Sequence, residues 1–205
     1  MTRGQSLVAI SVAGLLCLLG AALGVEWIIG HPRDVRTAPQ LPSIGGHFTL
    51  TATDGTTVTD GTYRGKILLV YFGYTLCPDI CPTTLGGIAD ALDKLGPNAD
   101  KIQPLFITVD PRRDTPKVLT DYVKNFGSRI IGLTGTPEQI AAAAKAYRVY
   151  YAPYKMPDAP GGYLMDHSAT VYVMNPEGRF VASFSPETSA DQMAERLTVL
   201  IADKS

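Results

Sequence analysis

The feature that most constrains the fold is an unbroken apolar run, Ile67-Leu68-Leu69-Val70-Tyr71-Phe72, followed at once by Gly73-Tyr74-Thr75-Leu76-Cys77-Pro78-Asp79-Ile80-Cys81-Pro82. A short apolar run bounded by turn-forming residues reads as a strand buried on both faces. Beyond the second proline, Leu85, Ile88, Ala89, Leu92 and Leu95 recur on one helical face. The segment between strand and helix therefore lies at the carboxyl end of a sheet. In open α/β folds that is where ligands bind.

This loop holds two of the three cysteines in the chain, four positions apart and each followed by proline. Proline disfavours the α region for the residue before it, so the expectation is that neither Cys77 nor Cys81 lies inside a regular helix. Pro82 suits the first helical position, which puts Cys81 at the cap. A thiolate there would face unpaired N–H groups and the positive end of the helix dipole, lowering its pKa. The bland alternatives are a buried pair of small apolar residues or a stabilising disulfide. A disulfide closing so short a loop removes little unfolded-state entropy, which leaves redox or metal chemistry as the better reading.

The rest of the chain alternates. Phe48 to Ala52 and Thr56 to Thr59 flank the hairpin signal Asp54-Gly55. Leu105 to Val109 reads as a strand ended by Asp110-Pro111-Arg112-Arg113-Asp114, and Thr115-Pro116 caps a helix through Phe126. Ile130 to Leu133 is a short strand, and Thr136-Pro137-Glu138-Gln139 opens the Ala141 to Tyr147 helix. Val149 to Tyr154 is extended. Ala169 to Met174 and Arg179 to Phe184 form a hairpin around Asn175-Pro176-Glu177-Gly178, and Ser189-Ala190-Asp191-Gln192 caps a last helix. Strands alternating with helices, ended by an antiparallel hairpin, predict an α/β fold, a thioredoxin-like domain with a mixed central sheet flanked by helices. The stretch Met156 to Gly162 is a loop with no assignable place.

Ahead of the domain, Leu7 to Val25 contains no charged residue. At about 1.5 Å per residue such a helix nearly crosses a hydrocarbon core of roughly 30 Å. Residues 7–29 are therefore expected to form an uncleaved N-terminal transmembrane helix with Trp27 as interfacial anchor, since Ala22-Leu23-Gly24 is a weak cleavage site. Cys17 reads as a membrane-buried hydrophobe. Residues 30–43, with Pro32, Pro39 and Pro42, form a tether. Residues 44–205 form one domain. A formal net charge of -1 without a basic run excludes nucleic acid as a partner. The single basic residue before the apolar stretch, Arg3, is unlike a mitochondrial transit peptide and points to a bacterial protein.

Of the three histidines, His31 and His47 lack polar clusters and read as solvated or packed imidazoles. His167 lies in a loop at the edge of the strand Ala169 to Met174. Alone it would read as structural, but two thiols and one imidazole make an incomplete set of metal ligands, with Asp166 the candidate to orient its neighbour. Soft thiolates select Cu(I), and a three-ligand site with an open position also admits zinc. Met156 and Met165 are soft thioethers whose more ordinary role is packing. A peroxidase with Cys77 or Cys81 attacking peroxide is a further alternative, for which Thr75 is a loose echo. Arg112 and Arg113 read first as part of a turn, and second as contacts for an acidic partner.

Four stretches, Gly73 to Pro82, Val109 to Pro116, Ala146-Tyr147-Arg148-Val149-Tyr150-Tyr151 and Tyr163-Leu164-Met165-Asp166-His167-Ser168, resemble the Sco/SenC family in order and spacing. The resemblance covers about residues 44 to 203, and the single N-terminal anchor resembles that family's topology. It implies a thioredoxin-like domain on the outer, periplasmic face of a bacterial inner membrane, with residues 1–6 a cytoplasmic tail. It implies one copper per chain, as Cu(I) or Cu(II), held by Cys77, Cys81 and His167. The partner implied is the CuA domain of cytochrome c oxidase subunit II, with a periplasmic copper donor or thiol reductase upstream. Family members combine two functions, delivery of copper and reduction of the target's cysteine pair by a Cys77–Cys81 disulfide couple.

Overall fold

The sheet is built outward from the apolar run. In the computed structural model, which describes residues 43–203, a hairpin of β1 (Thr49–Ala52) and β2 (Thr57–Thr59) comes first. Its turn forms because Gly55 takes φ +86 and Asp54 accepts the Thr56 amide and hydroxyl at 2.9 and 2.6 Å. Then come β3 (Ile67–Gly73), buried at every residue, α1 (Ile80–Leu95), β4 (Ile102–Thr108), α2 (Pro116–Val123), β5 (Ile131–Thr134) and α3 (Pro137–Tyr147). The hairpin β6 (Tyr151–Lys155) and β7 (Tyr163–His167) follows, then β8 (Val171–Met174), β9 (Phe180–Phe184) and α4 (Ala190–Ala202).

Seven strands form one sheet in the order β2-β1-β5-β4-β3-β8-β9. The β3–β4 and β4–β5 pairs are parallel, and the pairs β1–β5, β3–β8 and β8–β9 are antiparallel. Side chains of β3 alternate between the faces. Tyr71 meets Phe106, which in turn meets Tyr122 of α2, whereas Phe72 meets Tyr147 of α3. Helices therefore cover both faces. This is the expected mixed α/β, thioredoxin-like architecture, with the site at the carboxyl end of β3.

Three helices start as the sequence indicates. Thr115, Thr136 and Ser189 each accept an amide three residues on, and the last two complete capping boxes with Gln139 and Gln192. Helix α1 is different. It begins at Ile80, so Cys81 lies within its first turn and not at its cap. Pro82 is tolerated there because amides of a first turn have no intrahelical acceptor to lose.

His167 is also placed differently from expectation. It is the last residue of β7 rather than part of a loop, paired with Tyr151, and Ala152 pairs with Asp166. Residues Met156 to Gly162 are the connection that closes this two-stranded sheet, with the Met156 amide donating to the Gly162 carbonyl at 3.0 Å. The stretch expected to be extended, Val149 to Tyr154, supplies most of β6, and an edge pairing accommodates Pro153. The expected anchor at 7–29, with Cys17 and His31, lies outside the described residues, as does nearly all of the tether. Among the described residues no helix is long and apolar enough to cross a membrane.

Candidate metal centre

Three elements converge at the end of β3. The first is the loop to α1, where the Cys77 amide donates to the Tyr74 carbonyl at 3.3 Å and turns the thiol inward. That loop is pinned from below by buried Asp114, whose carboxylate accepts the Thr75 amide at 3.0 Å, the Thr75 hydroxyl at 2.6 Å and the Thr108 hydroxyl at 2.6 Å. Burial nevertheless raises the Asp114 pKa.

The second element is the first turn of α1, which buries Cys81 completely. Its sulfur occupies space that only glycine at the end of β3 leaves open. A Cβ on Gly73 would lie 2.7 Å from Cys81 Sγ and 2.7 Å from Phe106. The Cys81 amide donates to Cys77 Sγ at 3.4 Å, so the helix start serves the other thiol.

The third is the β6–β7 hairpin. The His167 ring stands edge-on to Tyr71 and Tyr74, with centroids 6.3 and 5.8 Å away. Its Nδ1 lies 3.1 Å from the Ser168 carbonyl oxygen. A carbonyl only accepts, so Nδ1 carries the proton and Nε2 presents its lone pair to Cys81 Sγ, 3.4 Å away. That is the tautomer a metal ligand needs. Asp166, expected to orient this ring, is instead exposed. Adjacent strand residues point to opposite faces, and the backbone of Ser168 does the orienting.

The two thiols are unequal. The hydrogen bond from Cys81, followed by contact with His167, pulls the Cys77 pKa down to about 4. Burial pushes Cys81 up, and so does its donation to Cys77. The expectation of an activated Cys81 at a helix cap is thus corrected. Cys77 is the thiol favoured for ionisation, because it is the partly exposed member and receives the Cys81 amide.

The sulfurs and imidazole nitrogen all lie within 4.8 Å of one another. Two soft donors and one borderline donor at that separation suit a single copper or zinc ion. A further observation fits a charged sulfur here. The fully buried Tyr71 hydroxyl lies against Cys81 and Thr84, yet neither it nor the Thr84 hydroxyl has a well-formed hydrogen bond within the protein. The Tyr71 hydroxyl is a donor that a metal-bound thiolate at Cys81 would satisfy.

Other candidates fall outside the cluster. His47 is exposed beside Asp60, at 3.0 Å. Met165 is buried in the core and Met156 is exposed on the hairpin turn, which agrees with packing for the first. Tyr71, Gly73, Asp114 and Ser168 were not singled out by sequence reasoning. Only Asp114 carried a signal, as the second of two acids in a turn whose preceding strand is buried.

The chain matches the family model described as SCO1/SenC over residues 36–202. It is 45% identical over 191 residues to Protein SenC of Rhodobacter capsulatus, covering 90% of this chain and 85% of that protein. A crystal structure of Arabidopsis thaliana ScoI with copper bound superimposes with a TM-score of 0.74 at 42% identity, covering 78% of this chain and 99% of that one. A more distant neighbour is BsSco, described as a member of the Sco family of cytochrome c oxidase assembly proteins with a disulfide switch. It has 25% identity and a TM-score of 0.61, covering 79% of this chain and 95% of that one. The chain spans 46% of the length of a mitochondrial relative from Arabidopsis thaliana. The dithiol loop, the hairpin histidine and the sheet that joins them lie within the matched residues: this chain belongs to the SCO1/SenC family.

Proposed function

We propose that this chain is a membrane-anchored copper metallochaperone that holds one copper ion through Cys77, Cys81 and His167 and helps assemble the CuA centre of cytochrome c oxidase subunit II. The observation that carries the reading is the convergence of two thiols and a correctly tautomerised imidazole within 4.8 Å. Copper is cargo, bound through soft donors and leaving a coordination position through which an acceptor's ligand can enter. Copper in the related ScoI structure supports the choice of metal, and the oxidase role of BsSco supports the partner. The apolar stretch at 7–29 is proposed to anchor the domain on the periplasmic side of a bacterial inner membrane. Anchoring raises the domain's local concentration near a membrane-bound target.

One observation favours a second reading, reduction of the target's cysteine pair. A low-pKa, partly exposed Cys77 beside a buried thiol is the arrangement of a dithiol reductant. The Cys77 thiolate would attack the target disulfide and form a mixed disulfide. Cys81, losing its proton, would then displace the target thiol, moving two electrons to the target. The peroxidase reading loses support, because the Thr75 hydroxyl is committed to Asp114 at 2.6 Å.

Anaerobic Cu(I) titration of the full chain in detergent, with a competing chelator, tests the main reading. One equivalent is expected to bind tightly, Cys77→Ser is expected to abolish that binding, and unchanged affinity in Cys77→Ser would sink the site. In cells, His167→Ala keeps both thiols. Loss of oxidase assembly with an intact disulfide couple supports delivery, and full assembly without added copper supports the reductase.

A further inference from the structure

The histidine is the ligand carried on the separate two-stranded hairpin, whereas both cysteines follow directly from β3 of the main sheet. An isolated hairpin is marginally stable in water, so something must hold it to the domain. Part of the attachment is apolar, since Leu164 and Met165 are buried. The polar part converges on one side chain.

Arg113 follows β4 in the turn before α2. Its Nε donates to the Asp110 carboxylate, and its Nη1 donates to the carbonyls of Pro160 at 2.7 Å and Tyr163 at 2.9 Å. Its guanidinium lies over the Tyr163 ring, 3.8 Å from the centroid, and the Tyr163 hydroxyl donates back to Asp110 at 3.0 Å. Tyr163 is thus held by its ring face, its hydroxyl and its carbonyl. It begins β7, and His167 ends it on the same face of the strand. The same turn contributes Asp114, which pins the cysteine loop through Thr75. Residues 110 to 114 therefore fasten both ligand-bearing segments to one rigid point.

We propose that Arg113 is a positioning residue for His167, seating the β6–β7 hairpin so that the imidazole meets the dithiol. The proposal rests on the copper reading above. Arg113→Ala would strand the buried Asp110 carboxylate and risks unfolding. Arg113→Lys keeps the charge and loses the planar fork that reaches two carbonyls while stacking on a ring.

The test is a double-mutant cycle on the full chain in detergent, read as Cu(I) affinity against a chelator. Arg113→Lys is expected to weaken Cu(I) binding by about 10–100-fold, the usual effect of a group that orients a ligand. In a His167→Ala background the same change is expected to have no further effect, because the residue it acts through is gone. Without metal, amide exchange at Leu164 to His167 is expected to quicken in Arg113→Lys while β3 stays protected. An equal loss in both backgrounds, no loss in either, or unaltered exchange overturns the proposal. Failure of the copper reading shows elsewhere, as wild-type affinity in His167→Ala alone.

Discussion

The two sides of the metal centre are held by different physics. The thiol side belongs to the core: β3 is buried throughout, Cys81 is fully enclosed, and Gly73 leaves a space that the Cys81 sulfur and the Phe106 ring fill. The imidazole side rests on a peripheral hairpin fixed by a few buried side chains and an arginine clamp. Packing forces are short-range and unforgiving, so Cys81 cannot shift without disturbing the domain. A hairpin seated by polar contacts can be loosened with little effect on the global fold. The dithiol chemistry and the copper affinity are therefore separable by mutation.

The change expected to break this contrast most sharply is Gly73→Ala. Its new methyl would sit 2.7 Å from both Cys81 Sγ and Phe106, where either the helix start or the ring must move. Overpacking of this kind costs about 1–3 kcal/mol. Copper affinity and thermal stability are expected to fall together, and copper affinity by about 100-fold, at the upper end of what disturbing a ligand's support does. A stable variant with wild-type affinity would show that the thiol side is more pliant than its packing indicates.

The next effect is expected at Asp114, which joins the core to the cysteine loop. Asp114→Ala leaves the Thr75 amide and the Thr75 and Thr108 hydroxyls short of an acceptor, at a cost of about 1–3 kcal/mol for an unsatisfied buried group. Asp114→Asn is expected to retain most of the stability, since its oxygen can serve the Thr75 amide while a threonine hydroxyl turns to accept from its nitrogen. The pH dependence discriminates further. Burial raises the folded-state pKa of Asp114, so the folded protein holds this proton more firmly than the unfolded chain. Its contribution is fully present below the ordinary carboxylate range and is lost as pH rises through the raised value. Denaturant titrations across that window should show wild type losing stability with rising pH relative to Asp114→Asn. A difference of the opposite sign would mean that the three donors outweigh burial.

How much was legible in the sequence follows the same division. The thiol side was readable because a buried strand, a Pro-flanked cysteine pair and an amphipathic helix are local patterns, each with its own periodicity. The boundary error at α1 arose because Pro82 suits the first position of a helix but fits equally in the rest of its first turn. From that error followed the wrong choice of activated thiol. The imidazole side depended on the pairing of two short strands with a proline in one, which no local period reveals. The Arg113 clamp spans 50 positions between donor and acceptor, beyond the reach of any motif.

The finest test concerns the histidine's own support. Sequence adjacency made Asp166 the natural partner for His167, yet strand alternation turns it to the other face, and it pairs with Ala152 in the exposed edge of the hairpin. The Nδ1 proton goes to the Ser168 carbonyl, a backbone group that no side-chain substitution removes. Asp166→Asn is therefore expected to change Cu(I) affinity by no more than about twofold, the scale of a surface substitution of roughly 0.5 kcal/mol. Competition titration of the wild type and variant side by side has the precision to see this. A tenfold loss would mean that the end of β7 turns over when copper binds, bringing the carboxylate to the ring. The hairpin would then be a moving part, and the contrast between a fixed thiol side and a seated imidazole side would have to be redrawn as one between a fixed side and a closing one.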